Sequence, residues 1–307
     1  MSMRITTSMV QRNVLADLNS VSEKLTRMQM KSASGKEITR PSDDPFHASQ
    51  AMAMRQSLEG TRQHQRNVQD AMGWTEMTED ALDDITSNVS LARDLLVQAS
   101  SDTADPTSRK AVAAEMEQLI EAIKQGAANS YRGSYVLAGA ETSVRPYAPG
   151  ADDTYHGDEA GWDPTLPGIV REIGPGVTMT INTVGRDVLG DGQTANDNKL
   201  LHVLRDAVDH LNAGDGPNLR ADLGRLDTNL DHILEVRAAN GARAQRLETA
   251  LSRLQETEES TLGQLSETED ADIAKTLIEL NSQTAAYQAA LRAGASLVQS
   301  SLMDFLR

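Results

Sequence analysis

The sequence contains no cysteine, which excludes disulfide frameworks, thiolate metal sites and cysteine nucleophiles. Aromatic residues are scarce, at 3 % of 307. Ala, Leu, Gln, Glu, Asp and Arg dominate instead, a composition that suits long helices better than a large globular core. Positive charge is in deficit: 29 Lys and Arg against 45 Asp and Glu leave a formal net charge of −16. So acidic a chain gains nothing from counterion release on nucleic acid or from attraction to anionic lipid, so neither is an expected partner. Long apolar runs are also missing. The opening Met1-Ser2-Met3-Arg4-Ile5-Thr6-Thr7 has no apolar stretch and no small-residue cleavage pattern. Neither a Sec-type signal peptide nor a transmembrane helix is expected. The chain is then either cytoplasmic or exported by a route that needs neither.

What the chain does have is helical periodicity at both ends. Ile273, Leu277, Leu280, Thr284, Tyr287, Leu291, Gly294, Val298, Ser301 and Phe305 step by four and three, one stripe of a helix repeating every seven residues. Leu247, Leu251, Leu254, Thr261 and Leu265 keep a similar step until the polar run 266–270 interrupts it. As one helix, 247–305 would be roughly 90 Å long, too long for a compact core to cover. At the other end Val10, Val14, Leu18, Val21, Leu25 and Met28 form a matching stripe. The chain therefore leaves as a helix and returns beside itself. An ordinary antiparallel bundle and an assembly rod completed only by stacked subunits both satisfy this pattern. Both stripes are diluted with Ser, Thr, Gly and Ala, which favours weak pairing multiplied over many copies.

Between the ends, Ser34-Gly35 closes the first helix and Pro41, Ser42, Asp43, Asp44 and Pro45 read as a structured turn. Asp44 before a proline avoids the helical region and suits an N-cap, with Pro45 at the first helical position. A second helix is expected over 45–100, weakened by Gly60 and Gly73, and a third from Asp105-Pro106 to about Gly126. Residues 134–139 and 145–147 look extended, Val177-Thr178-Met179-Thr180-Ile181-Asn182 alternates as a half-buried strand does, and helices resume at Asn198. The expected fold is mainly α with a small β-rich insert: long antiparallel helices whose N- and C-terminal members pair as a coiled coil. The expected domains are a terminal assembly domain (1–40 and 270–307), a helical rod (41–130 and 198–269) and an outer β-rich insert (131–197).

Catalytic chemistry finds little footing. His202 and His210 could share a helix face near Asp206, but no Glu-flanked His pair exists and a solvated face is the simpler account. Gly190-Asp191-Gly192 with Asn196, Asp197 and Asn198 has the wrong spacing for a calcium loop and lacks its twelfth-position Glu. Gly174-Pro175-Gly176 has no helix to receive a phosphate. Asn88-Val89-Ser90 is a glycosylation sequon placed mid-helix, and the acidic run 256–259 reads as an exposed face. No catalytic set, metal site or cofactor site is expected.

Four motifs carry a resemblance. They are Met3-Arg4-Ile5-Thr6-Thr7-Ser8-Met9 and the turn Ser34-Gly35-Lys36-Glu37-Ile38 with Pro41-Ser42-Asp43-Asp44-Pro45. The others are Gly133-Ser134-Tyr135-Val136-Leu137-Ala138-Gly139 and the end Ser301-Leu302-Met303-Asp304-Phe305-Leu306. Together they resemble the flagellin-like family, over both ends and the helical scaffold but not across the β insert. The resemblance implies a structural subunit of the extracellular bacterial flagellum, leaving the cell through the flagellar type III pathway without a cleaved signal. It implies an adaptor between hook and filament, with self-association in a ring or layer. Its neighbours would be the first hook-associated protein below and flagellin above, with an export chaperone on the C-terminal region. The third motif and the Arg4-Ile5-Thr6 start favour the adaptor over the alternative, the filament subunit itself. The implied assembly core is Ile5, Val10, Val14, Leu18, Val21, Leu25, Met28, Leu277, Leu280, Tyr287, Leu291, Val298, Leu302 and Phe305.

Overall fold

The structure, a computed structural model, describes residues 7–101, 105–139, 141–150, 152–157, 168–192 and 195–305. Ile5 and Trp162 lie outside them. The order is α1 (Thr7–Ser34), α2 (Pro45–Ala99), α3 (Pro106–Gly126), β1 (Ser130–Tyr131), β2 (Ser134–Tyr135), β3 (Val170–Gly174) and β4 (Val177–Thr180), followed by α4 (Gly185–Leu189), α5 (Leu200–Ala213), α6 (Gly216–Glu269) and α7 (Ile273–Phe305). The chain is mainly α, with two small antiparallel sheets, β1–β2 and β3–β4. Two compact units emerge, one of residues 1–60 and 257–307 and one of residues 61–256.

The larger unit has one hydrophobic core. Leu82, Ile85, Val89 and Leu96 of α2 are fully buried, and so are Met116, Ile120 and Ile123 of α3. They share a cluster with Leu200 and Leu204 of α5 and with Leu219, Leu226 and Ile233 of α6. Leu137, Tyr147 and Ile181 from the β-rich stretch join this same cluster. With so few aromatics the stretch lacks the apolar volume for a core of its own, so it borrows the helices' core. Residues 136–139 are not the extended piece that their apolar run suggests. Val136, Leu137 and Ala138 are buried in a turn. The Leu137 carbonyl accepts from the Tyr155 hydroxyl at 2.9 Å and from the Gly185 N–H at 2.8 Å.

Neither internal glycine stops α2, which runs unbroken through Gly60 and Gly73. Gly73 has a packing role. A Cβ there would meet the Tyr131 ring at 2.6–2.8 Å, and that ring stands edge-on to Trp74 with centroids 6.3 Å apart. The long helix expected over 247–305 is in fact two, since α6 stops at Glu269 and α7 starts at Ile273. The β1–β2 turn puts Arg132 and Gly133 at φ 50 and 85°, the double positive φ of a tight hairpin. In β3–β4, Pro175 and Gly176 turn the chain, Gly176 at φ 70°.

One buried charge network has no counterpart in the sequence pattern. Lys124, only 1 % exposed, donates to the carbonyls of Gly150 at 2.6 Å and Asp152 at 2.9 Å and to Asp153 Oδ1 at 3.0 Å. Arg205 of α5 completes it, with Nε 2.6 Å from Asp153 Oδ2 and a terminal nitrogen 3.0 Å from Oδ1. The Asp153 carboxylate thereby ties residues 152–153 to α3 and α5. Burial penalises such charges individually, so satisfaction must be complete. Asp153→Ala removes the buried carboxylate that Lys124 and Arg205 share, leaving Lys124 with Glu121 Oε1 at 3.2 Å and two carbonyls, and is expected to lower stability by about 2–4 kcal/mol. Urea denaturation checks this; a loss below about 1 kcal/mol would show the network to be dispensable.

Candidate assembly surfaces

The smaller unit is organised by α1 and α7. Gly294, buried on α7, faces Val14 and Leu18 of α1: a Cβ on it would meet their side chains at 3.3 and 3.6 Å. At the opposite end Lys36 forms an antiparallel bridge with Asp270. The helices are therefore antiparallel, in register over about twenty residues or roughly 30 Å. Val14, Leu18, Val21, Leu25 and Met28 are all half-buried while their neighbours along α1 are mostly exposed. This is the seam. Its large apolar side chains are less buried than those of the larger unit's core. Glycine at 294 lets the two backbones approach.

On α7 the single stripe read from the sequence divides in two. The face toward α1 carries buried Thr276 and Gly294 with half-buried Leu280, Gln283, Tyr287 and Ala290. Leu277 and Leu291 are not in it: they are 46 and 43 % exposed, and Ile273 is 60 % exposed. At 3.6 residues per turn these three lie about 60–100° round the helix from the seam. A seven-residue repeat on a straight helix drifts in this way, by about 20° per heptad. Among the implied core positions, Val10, Val298, Leu302 and Phe305 belong to α1 and α7 by backbone. Their side chains are outside the described residues.

The turn between α1 and α2 is built from its own side chains. The Asp43 N–H donates to the Arg40 carbonyl at 2.9 Å, with Pro41 at the position that pre-sets the turn. Asp43 Oδ2 accepts from the Thr39 hydroxyl and the Arg40 N–H, both at 3.1 Å. Asp44 then caps α2: its Oδ1 accepts from the N–H groups of Phe46 at 3.1 Å and His47 at 3.0 Å. The His47 ring nitrogen Nδ1 lies 2.6 Å from Oδ2. Ser42 and Asp43 also line an open groove of about 600 Å³ against Arg27 and Met30 of α1. Phe46, 72 % exposed at the helix start, is the most exposed large apolar residue described.

The histidines divide between separate partners. His202 Nδ1 accepts from the Asn198 N–H at 3.1 Å, which leaves the proton on Nε2, 3.3 Å from Asp206. His210 pairs with buried Asp222 at 2.5 Å. The aspartates of the glycine-rich loop are spent on backbone: Asp191 accepts from the Tyr155 N–H at 2.8 Å and Asp197 from the N–H of Lys199 at 2.9 Å. Among the described residues no group of three or more His or carboxylate side chains could hold a metal. No helix among them is long and apolar enough to cross a membrane. Tyr147 is buried, its hydroxyl raised well above the ordinary 10.0 by that burial, so it stays protonated and donates to the Gly190 carbonyl at 2.6 Å.

Known proteins share this sequence pattern and this fold. Residues 5–142 match the bacterial flagellin N-terminal helical region. Over that stretch the chain resembles the flagellin-like family. It is 24 % identical over 269 residues to flagellar hook-associated protein 3 of Salmonella typhimurium, covering 80 % of this chain and 82 % of that protein. It is 26 % identical over 321 residues to the flagellin of Bacillus subtilis, covering 99 % and 100 %. In structure it resembles Bacillus cereus FlgL with a TM-score of 0.58 at 21 % identity, over 70 % of this chain and 99 % of that one. The shared fold is that of flagellar structural proteins.

The cap carries a pH signature. The His47 N–H and then its ring hold the Asp44 carboxyl below its ordinary 3.8. A depressed carboxyl contributes stability above its unfolded-state pKa and loses it as pH falls through the folded value. The first turn of α2 is therefore expected to fray below about pH 4, and Asp44→Ala to fray it at neutral pH. Amide exchange at Phe46 and His47 checks both; protection unchanged in Asp44→Ala would contradict the cap.

Proposed function

We propose that this flagellin-like chain is a structural, non-catalytic adaptor of the flagellar hook–filament junction. The observation that carries this is the match to hook-associated protein 3 over about four-fifths of both chains, together with terminal helices whose apolar surface is only half covered. The adaptor would sit as a layer of identical copies between the first hook-associated protein and flagellin. Its positions from Ile5 to Met28 and from Leu277 to Phe305 would enter a shared core, and the turn 41–45 would set the chain's exit from it. Export through the flagellar type III channel, with a chaperone on the C-terminal region, completes the reading. A charged residue cannot be buried in such a core without several kcal/mol of cost.

The second reading, a filament subunit, rests on the full-length match to a flagellin, which a hook-associated protein 3 equals in identity and length. The two differ in abundance and position. Quantifying the chain in filaments sheared from cells, with gold-labelled antibody on the same filaments, is the test. A trace confined to one end is expected, and its loss in Leu302→Asp/Phe305→Asp. Bulk abundance along the shaft would establish the filament subunit instead.

A further inference from the structure

The gap between α6 and α7 has only weak local causes. From Ser266 to Ile273 the sequence holds neither Gly nor Pro, and Asp and Ala at 270–272 would cost a continuous helix at most about 0.7 kcal/mol per residue. Bonds from elsewhere in the chain add to them. The Glu37 N–H donates to the Glu269 carbonyl at 2.7 Å, and the Ala271 N–H donates to the Gly35 carbonyl at 2.9 Å. In an unbroken helix the Glu269 carbonyl would accept from Ile273, and the Ala271 N–H would donate to Glu267. The Ala271 N–H has one bond to give, so the bridge and the continuous helix exclude each other.

Glu269 sits where this choice is made. Its side chain is 3 % exposed, with one oxygen on the Lys36 ammonium and the other on the Arg55 guanidinium. Those cations come from the turn after α1 and from α2, 233 and 214 residues away in sequence. One carboxylate therefore joins three separate segments at the point where two backbone bonds replace two helical ones. Beyond the gap Asp272 starts the new helix, its Oδ1 accepting from the Lys275 N–H at 3.1 Å.

We propose that Glu269 is the positioning residue of this joint, a latch that keeps α6 and α7 apart and so fixes α7 in register with α1. Without the latch, α6 and α7 fuse across 270–272, and α7 leaves its seam with Val14 and Leu18. The proposal concerns this chain's own conformation and stands whether or not it serves at a junction.

The test is a distance measurement between spin labels on the full chain. With no native cysteine, Asn19→Cys and Gln288→Cys place unique labels on exposed positions of α1 and α7. A single narrow distance is expected with Glu269 present. Glu269→Ala and Lys36→Ala/Arg55→Ala should each deplete that distance several-fold, and all three substitutions together should do no more than either. Lys36 and Arg55 are 39 and 51 % exposed, so water receives them when Glu269 is removed and the larger unit's thermal transition stays in place. Should Glu269→Ala unfold the chain, Glu269→Gln keeps the shape and carries the same expectation. A native distance distribution in the Glu269 variant would overturn the latch. So would losses that add in the combined variant, since the groups would then act separately.

Discussion

A helix with one apolar stripe is not stable in water until something covers the stripe, and α1 and α7 cover each other only in part. Their seam is half-buried along its length, is held close by a glycine, and leaves Ile273, Leu277 and Leu291 beside it in solvent. Isolated helical pairs of this kind are marginal, since packing rather than propensity supplies most helical stability in proteins. The rest of the molecule is arranged around that deficit. The larger unit holds a dry core, while the ends leave Ile273, Leu277 and Leu291 in solvent. A net charge of −16 opposes non-specific association of that exposed apolar surface.

The connections at the base of the seam are of a different kind. They are polar, specific and local: an aspartate cap at Asp44, an aspartate-braced turn at Asp43, and the bridge between Gly35–Glu37 and Glu269–Ala271. Hydrogen bonds of this sort add little net energy each, but they dictate direction. A weak apolar seam leaves register loosely specified, so direction must come from its polar end. The turn 41–45 and the joint at Glu269 supply it from the two chain segments that enter the seam.

Much of this was legible in the sequence wherever cause and effect are close together. The Asp44-Pro45 cap, the start of α3 at Pro106 and the stripe on α1 each depend on residues within a turn or two. What was illegible depends on partners far away in the chain. Gly73 reads as a weakness in α2 until the Tyr131 ring is seen to lie on it. Lys124 reads as a surface lysine on α3, because only the fold brings Asp153 and two carbonyls to its tip. The polar run 266–270 marks where α6 ends, but not what holds the break, because those groups lie at residues 35–37 and 55. The heptad spacing on α7 does not separate the residues that face α1 from those beside them: Leu277 and Leu291 share the repeat with Leu280 and Tyr287, but on a straight helix they lie to one side of the seam. The β-rich stretch was recognised by its turns and alternation, yet its burial in the helices' core could not be, because core membership is a property of tertiary packing.

The central claim is that the terminal pair is marginal alone while the larger unit is not. Amide hydrogen exchange on the dilute full-length monomer tests it most directly. The account predicts that amides across α1 and α7 exchange orders of magnitude faster than those of α3 and α5, with protection rising on the ends only when copies associate. Protection of α1 and α7 equal to that of α3 and α5 in the monomer would contradict it, and would make the ends part of a self-sufficient bundle.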